Sequence, residues 1–387
     1  MKLALELAFK NCIKSGVRTW LNAGILSFAF ILILFFNGLM DGWNEETKKE
    51  TIAWEYGEGQ IWSKKYDPLD PFSLKNSVTE MPEELKGVGT PILIQQGSIY
   101  PQQRFIPVQL KGIDLEQHIL KIPTEKLAQS KAEIPVLIGK RMAKTTQLKV
   151  NDQVLLRWRD THGVYDAKQL TVVGIFDTNV GGIDNGQLWM SLKTLQKMTR
   201  LENKATIWIA NNKQVKYRVA GLKAWKFVGL KELLKDIEEM VEIKKSSNAI
   251  FYLMLLSNAL LAIFDTQVLS IFRRQKEIAT YLALGLTKTK VMLIFTLEGV
   301  MYSFLAILLG AAYGIPLLWY LQKKGLYIPN SDDLGMAMAD RIYPYYTVDL
   351  IIQTILLIVI SATIVSYLPA RKIAKLNPVN ALKGKLL

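Results

Sequence analysis

The sequence predicts an α+β membrane protein. Four transmembrane helices are arranged one plus three, and a large mixed α/β extracytoplasmic domain lies between the first and second. Three observations carry this. The apolar residues gather into four long runs, the basic residues crowd three short segments beside those runs, and residues 41–247 carry strand and helix patterns with nearly balanced charge. A helix rises about 1.5 Å per residue, so roughly 20 residues cross a ~30 Å hydrocarbon core.

The first run, residues 20–40, has no charged residue. It is longer than the apolar part of a cleavable signal, and no small-x-small pattern follows it, so it is expected to stay as an anchor. The second run, 248–272, holds one acid, Asp265. The third, 291–321, holds Glu298, and the fourth, 348–369, has only Asp349 at its edge. Runs this long and this free of charge are hard to keep in water as soluble core helices.

Charge sets the orientation. Residues 1–19, 273–290 and 370–387 together carry 14 Lys and Arg and two acids, which is +12 of a net +14. The positive-inside rule puts all three in the cytoplasm, with both termini there. Residues 41–247 then lie outside, and 322–347 form a short outer loop. The basic clusters follow from topology and contact with anionic lipid rather than from nucleic-acid binding. The only cysteine, Cys12, falls on the cytoplasmic side, so the outer domain has no disulfide and no thiol chemistry.

Within the outer domain, 90–100 and 104–114 read as two strands joined by a Pro-containing turn. Residues 125–150 read as a polar linker, a short strand and an amphipathic helix. "DQVLLRWRD" and "AKQLTVVGIFD" alternate in period two around "THGVYD", which predicts a hairpin. "LWMSLKTLQKMTRL" reads as a strand end and a helix, and "ATIWIA" as a strand. "LKELLKDIEEMVEIKKSSNAI" reads as a long polar helix entering the second run; a break near Ser246–Ser247 would interrupt it.

No catalytic set emerges. His118 and His162 are far apart and lack ligand-spaced partners, so a solvated surface role is expected for both. There is no G-x-S-x-G and no G-x-x-x-x-G-K-[ST]. The chain is expected to bind no cofactor and no metal, and if ATP drives it, ATP and Mg belong to another polypeptide. Acids at membrane depth are functional by default. For Asp265 the alternatives are pairing or capping and gating. Glu298 could pair with the basic loop or with polar groups of a neighbouring helix. Phe28, Phe35 and Phe36 of the first run and Phe251 and Leu255 of the second are candidates for facing a substrate, against the plainer role of lipid or packing surface.

The segment "FRRQKEIATYLALGLTKTK" places charges at both ends and Ile278, Leu282 and Leu286 at four-residue spacing, with Gly285 as a C-terminal stop. It predicts a short amphipathic helix on the inner membrane face. Such a helix either rests on lipid or docks in a groove of a cytoplasmic partner.

Here the sequence resembles the extracytoplasmic-domain ABC transporter permeases of the MacB, lipoprotein-releasing (LolC/LolE) and FtsX type, the mechanotransmission or type VII transporters. "FRRQKEIATYLALG" resembles their signature after the second helix. "LEGVMYSFLAILLGAAYG", with Glu298, Gly299 and Gly310, resembles their third helix. "YLPARKIAKLNPVNALKG" resembles their C-terminal signature, and "LAFKNCIKSGVRTWL" their N-terminal amphipathic helix. The stretch "IGKRMAKTTQLKVNDQVLLRW…LTVVGIFDTN" is similar to the outer domain of the lipoprotein-releasing branch.

The resemblance implies that 273–290 is a coupling helix seated on a separate ABC ATPase, with Arg273, Arg274, Glu277, Ile278, Leu282 and Gly285 contacting or orienting it. It implies a non-catalytic permease subunit of a bacterial inner membrane, acting as a dimer with itself or a paralogue. A lipoprotein or another amphipathic substrate, membrane lipid and a periplasmic carrier are the further implied partners. One branch carries a long Pro-rich hook for the carrier, and this chain has only the short turn 159–168 in that place. Two other functions stay open: regulation of an extracytoplasmic enzyme as in FtsX, and export of peptides or small molecules as in MacB.

Overall fold

The computed structural model describes residues 16–70, 74–80, 87–327 and 341–375. Most of the expected N-terminal amphipathic helix, including Cys12, lies outside the described residues, as do most of the 322–347 loop and the C-terminal signature beyond Lys375. The chain divides into two compact units. One is helical and comprises residues 1–43, 240–326 and 342–387; the other, residues 44–239 and 327–341, carries the main sheet.

The helical unit is built on α1 (Val17–Thr51), α2 (Lys235–Arg273), the short α3 (Gln275–Ala283), α4 (Lys288–Lys324) and α5 (Val348–Ala370). Four of these, α1, α2, α4 and α5, are long and apolar enough to cross a membrane. α1 continues beyond the apolar run, because "DGWNEETKKET" offers good helix formers and no proline. α2 is unbroken through Ser246 and Ser247. Thr287 caps α4 and Thr347 caps α5, each hydroxyl accepting from the amide three residues on, at Lys290 and Leu350.

Close packing centres on α4. A Cβ at Gly314 would overlap Ile31 of α1, and one at Gly310 would come within 2.9 Å of Phe30. The two glycines, four residues apart on one face, let α1 lie against α4. Leu26, Phe30, Ile33, Leu256, Ile263, Tyr302, Ala306 and Ile358 complete this core.

In the other unit the strands are β1 (Gln60–Ser63), β2 (Thr79–Glu80), β3 (Gly89–Ile99), β4 (Ile106–Ile113), β5 (Pro135–Gly139), β6 (Gln153–Arg159), β7 (Tyr165–Phe176), β8 (Gln187–Ser191), β9 (Lys204–Ala205), β10 (Ile207–Ala210) and β11 (Trp225–Val228). The main sheet runs β11-β1-β10-β3-β4-β8-β5-β7-β6, and β3 also pairs with β6. The six strands from β3 to β6 therefore close on themselves as a barrel. The first part of β3 takes β10 as its neighbour and its last part takes β6 (Gly97↔Trp158), so this long strand serves the barrel and the β10-β1-β11 wing.

Side chains alternate as a closed barrel requires. Val154, Leu156 and Trp158 of β6 point inward between exposed neighbours. They meet Leu93, Leu110, Val136, Ile138, Leu170, Val172, Leu188 and Met190 in one core. The expected β3–β4 and β6–β7 hairpins form, the latter from Gln153↔Thr171 to Arg159↔Tyr165. Two details differ from expectation. The "polar linker" starts with a helix at Thr124–Ala128, anchored by buried Leu127. The long polar helix expected from Leu230 is two pieces, Leu230–Leu233 and α2.

Candidate functional site

The loop segment folds as its pattern requires. α3 ends in a paired stop: the Leu286 amide donates to the Tyr281 carbonyl (3.1 Å) and the Gly285 amide to Leu282 (3.1 Å). Gly285 has φ +91, which an L side chain rarely adopts. Ile278 and Ala279 are fully buried, and Ile278 meets Ile271, Val291, Phe295, Ala370 and Ile373, so α3 is pinned over the ends of α2, α4 and α5. The opposite face is open, with Leu284 75% exposed.

Between α2 and α3 the helix breaks at one residue, Arg274 (φ −103, ψ 19). The break turns the guanidinium inward. Its Nη1 donates to Glu298 Oε2 of α4 at 3.1 Å, and its Nε to Glu277 Oε2 of α3 at 2.7 Å. The guanidinium Cζ lies 5.1 Å from the centre of the Phe295 ring. Glu298 is fully buried. A buried carboxylate needs a partner, and a fork of fixed donors supplies one. Arg274 thus ties the loop helix to the interior of α4.

The six residues expected to act together divide in two. Arg273, Glu277 and Gly285 are exposed, whereas Arg274, Ile278 and Leu282 face the protein to different depths. Adjacent arginines are indistinguishable in the sequence; only the backbone break at Arg274 separates them. Of the two membrane-depth acids, Glu298 pairs with Arg274 of the loop. Asp265 lies on an exposed face of α2 with Leu261 and Leu269, and its side chain makes no ion pair among the described residues.

Phe28, Phe36 and Phe251 are exposed, while Phe35 and Leu255 are half-buried. Phe36 stacks edge-on to Phe35 at 5.2 Å and lies 6.4 Å from Tyr252. His118 and His162 are exposed, and no cluster of His, Cys, Asp or Glu able to hold a metal occurs among the described residues.

One contact was hidden in the sequence. A Cβ at Gly299 would overlap the Ser366 hydroxyl of α5 and approach Gln267 of α2 within 3.2 Å. Gln267 and Ser366 are fully buried. Three long helices therefore converge one residue beyond Glu298, where only the glycine of the "EG" pair could have signalled it.

The hairpin tip in place of a hook is compact. Asp160 Oδ1 accepts from the amides of His162 and Val164 (2.9 and 2.8 Å), and Arg157 stacks over Tyr165 at 4.3 Å.

Residues 249–378, which contain α3, Arg274, Glu298 and Gly299, match the model of the FtsX-like permease C-terminal domain. A protein of Xylella fastidiosa named "Lipoprotein-releasing system transmembrane protein LolC" is 21% identical over 315 residues, covering 75% of this chain and 76% of that one. Its namesake in Neisseria meningitidis is 22% identical over 336 residues, covering 78% and 79%. The crystal structure of the extracellular domain of a noncanonic ABC-type transporter, YknZ, from Gram-positive bacteria covers 44% of this chain at 12% identity; its TM-score of 0.26 is too low to carry weight.

Proposed function

We propose that the chain is a MacB/FtsX-like, LolC-like ABC permease and that it couples a separate cytoplasmic ATPase to the release of lipoproteins, or similar amphipathic substrates, from a bacterial inner membrane. The observation that carries the coupling half is the Arg274 tie between an exposed-faced loop helix and the buried Glu298. A partner that moves α3 pulls on α4 directly, because separating Arg274 from Glu298 would take a cation away from a fully buried carboxylate.

Several features support the rest. The basic segments favour an inner membrane location with both termini cytoplasmic. α2 and α5 keep only 22% and 17% of their most apolar windows covered. A carboxylate at membrane depth on a lipid-facing surface is costly, so the face of Asp265 fits a second permease, identical or paralogous. Phe28, Phe36 and Phe251 are apolar, exposed and suited to acyl chains. The substrate class rests on the names of the relatives. The short tip at 160–164 does not reproduce a carrier-docking hook, so we assign no carrier to it. Nucleotide and Mg are assigned to the ATPase, and no cofactor to this chain.

The test is a mild-detergent pull-down of the tagged chain with mass spectrometry of what accompanies it. An ATPase with a P-loop and acylated lipoproteins are the expected companions. An ATPase accompanied by a soluble cell-wall hydrolase or an efflux adaptor, with no lipoprotein, would replace lipoprotein release by regulation or export.

A further inference from the structure

α1 does not end in ordinary α geometry. Its continuation, Ile52–Tyr56, is a π turn, and the Gly57 amide donates to the Ile52 carbonyl at 2.8 Å. A π turn accommodates one extra residue and re-aims the side chains around it, and such turns gather at functional places. Gly57 then leaves in a left-handed conformation (φ +55), close to Ile209 and Ile119, where a Cβ would not fit.

The side chain aimed by this turn is Glu55. Its carboxylate pairs with Lys111 Nζ, and Gln187 Nε2 donates to it at 3.4 Å. Lys111 lies in the middle of β4, opposite Ile94 of β3 and Trp189 of β8, and is 3% exposed. Its ammonium lies 5.1 Å from the centre of the Trp189 ring. Among the described residues it is the only buried lysine. Leu110, its neighbour, belongs to the barrel core, whereas Lys111 rises into the apolar layer of Ile92, Ile94, Leu137 and Trp189 on the other face of the sheet.

An apolar side chain would suit that layer better. A lone lysine there is unfavourable, and replacing a buried ion pair by hydrophobic residues is often neutral or stabilising. What the pair adds is position. Apolar contacts slide and rotate at little cost, but this pair cannot separate without stranding the desolvated ammonium of Lys111, whose side chain is 4% exposed against 22% for Glu55. Neighbouring contacts hold the same turn: Trp54 stacks on Phe176 at 5.3 Å, and the Lys121 amide donates to the Ala53 carbonyl at 2.9 Å.

We propose that Glu55 and Lys111 are positioning residues that fix the rotation and depth of the end of α1 on the barrel, so that displacement of α1 becomes displacement of β4 and β8. The transmission half rests on the transporter function proposed above; the seating half does not.

The experiment is hydrogen exchange on the full-length chain in nanodiscs, with its copurifying ATPase. In wild type, vanadate trapping should change exchange in residues 109–113 and 187–191. In Glu55→Leu/Lys111→Met that change should fall at least fivefold, with melting midpoint unaltered and ATP turnover within twofold. A change of wild-type size in the double variant would overturn transmission through this pair while leaving the transporter reading intact. Seating is measured without nucleotide. Lys111→Met alone should speed exchange of residues 52–57 at least tenfold, while β6 and β7 keep their protection. Unaltered exchange there would overturn the proposal whether or not an ATPase is present. If the single variant does not fold, the same comparison on Glu55→Gln decides it.

Discussion

α4 and α2 both carry one acid at membrane depth, and the chain treats the two in opposite ways. On α4, more than half of the most apolar window is covered by the protein itself, and Glu298 is fully buried against Arg274. On α2, 22% of that window is covered, and Asp265 faces outward among leucines. The first acid is a finished interaction within one chain. The second has no ion pair among the described residues. The difference fits the subunit role proposed above: the apolar windows of α1 and α4 are each 56% covered by the chain itself, those of α2 and α5 only 22% and 17%.

The sharpest way to break this contrast is to remove Arg274. Arg274→Ala should destabilise the detergent-solubilised chain by about 3–5 kcal/mol, because Glu298 is left charged and buried. Arg274→Met/Glu298→Leu should recover most of that loss. Asp265→Asn, by comparison, should leave the midpoint almost unmoved. Equal effects of Arg274→Ala and Asp265→Asn in a thermal melt would erase the distinction.

Packing gives the next largest effect. Gly314→Val forces α1 off α4 and should cost about 1–3 kcal/mol, whereas Ile360→Val on the exposed side of α5 should cost under ~0.5 kcal/mol. The loop helix comes third. Gly285→Ala places a Cβ at φ +91 and should cost about 1 kcal/mol. Glu277→Lys replaces a mostly exposed partner of Arg274 and should cost less than ~1 kcal/mol. Its functional effect should be far larger, with substrate-stimulated ATP turnover lost and membrane insertion intact. Normal stimulated turnover in both Glu277→Lys and Leu282→Asp would remove α3 from the coupling role.

Much of this was legible because it is local. Period-two alternation marked the β6–β7 hairpin, and uncharged length marked the apolar helices. Gly285 was readable as a stop because a paired terminus requires a residue that tolerates positive φ. The misses are non-local or too short to carry a period. "QIWS" and "WKFV" are four-residue strands whose pairing depends on residues some 150 positions away. Closure of the barrel depends on β3 meeting β6, which no local pattern encodes. The inward turn of Arg274 depends on one backbone break between two identical residue types. Lys111 reads as an ordinary polar residue of an alternating strand, and only the π turn that delivers Glu55 shows why it can be buried.

The most direct test of the central claim, that α3 is the surface on which a separate ATPase acts, is site-specific cross-linking from its open face. A cysteine at Leu284, in a Cys12→Ser background, would be treated in membranes with a short thiol-to-amine cross-linker. The account predicts a single major adduct whose partner contains a nucleotide-binding P-loop, and whose yield changes when ATP is trapped. Adducts with lipid alone, or with no P-loop protein, would contradict it.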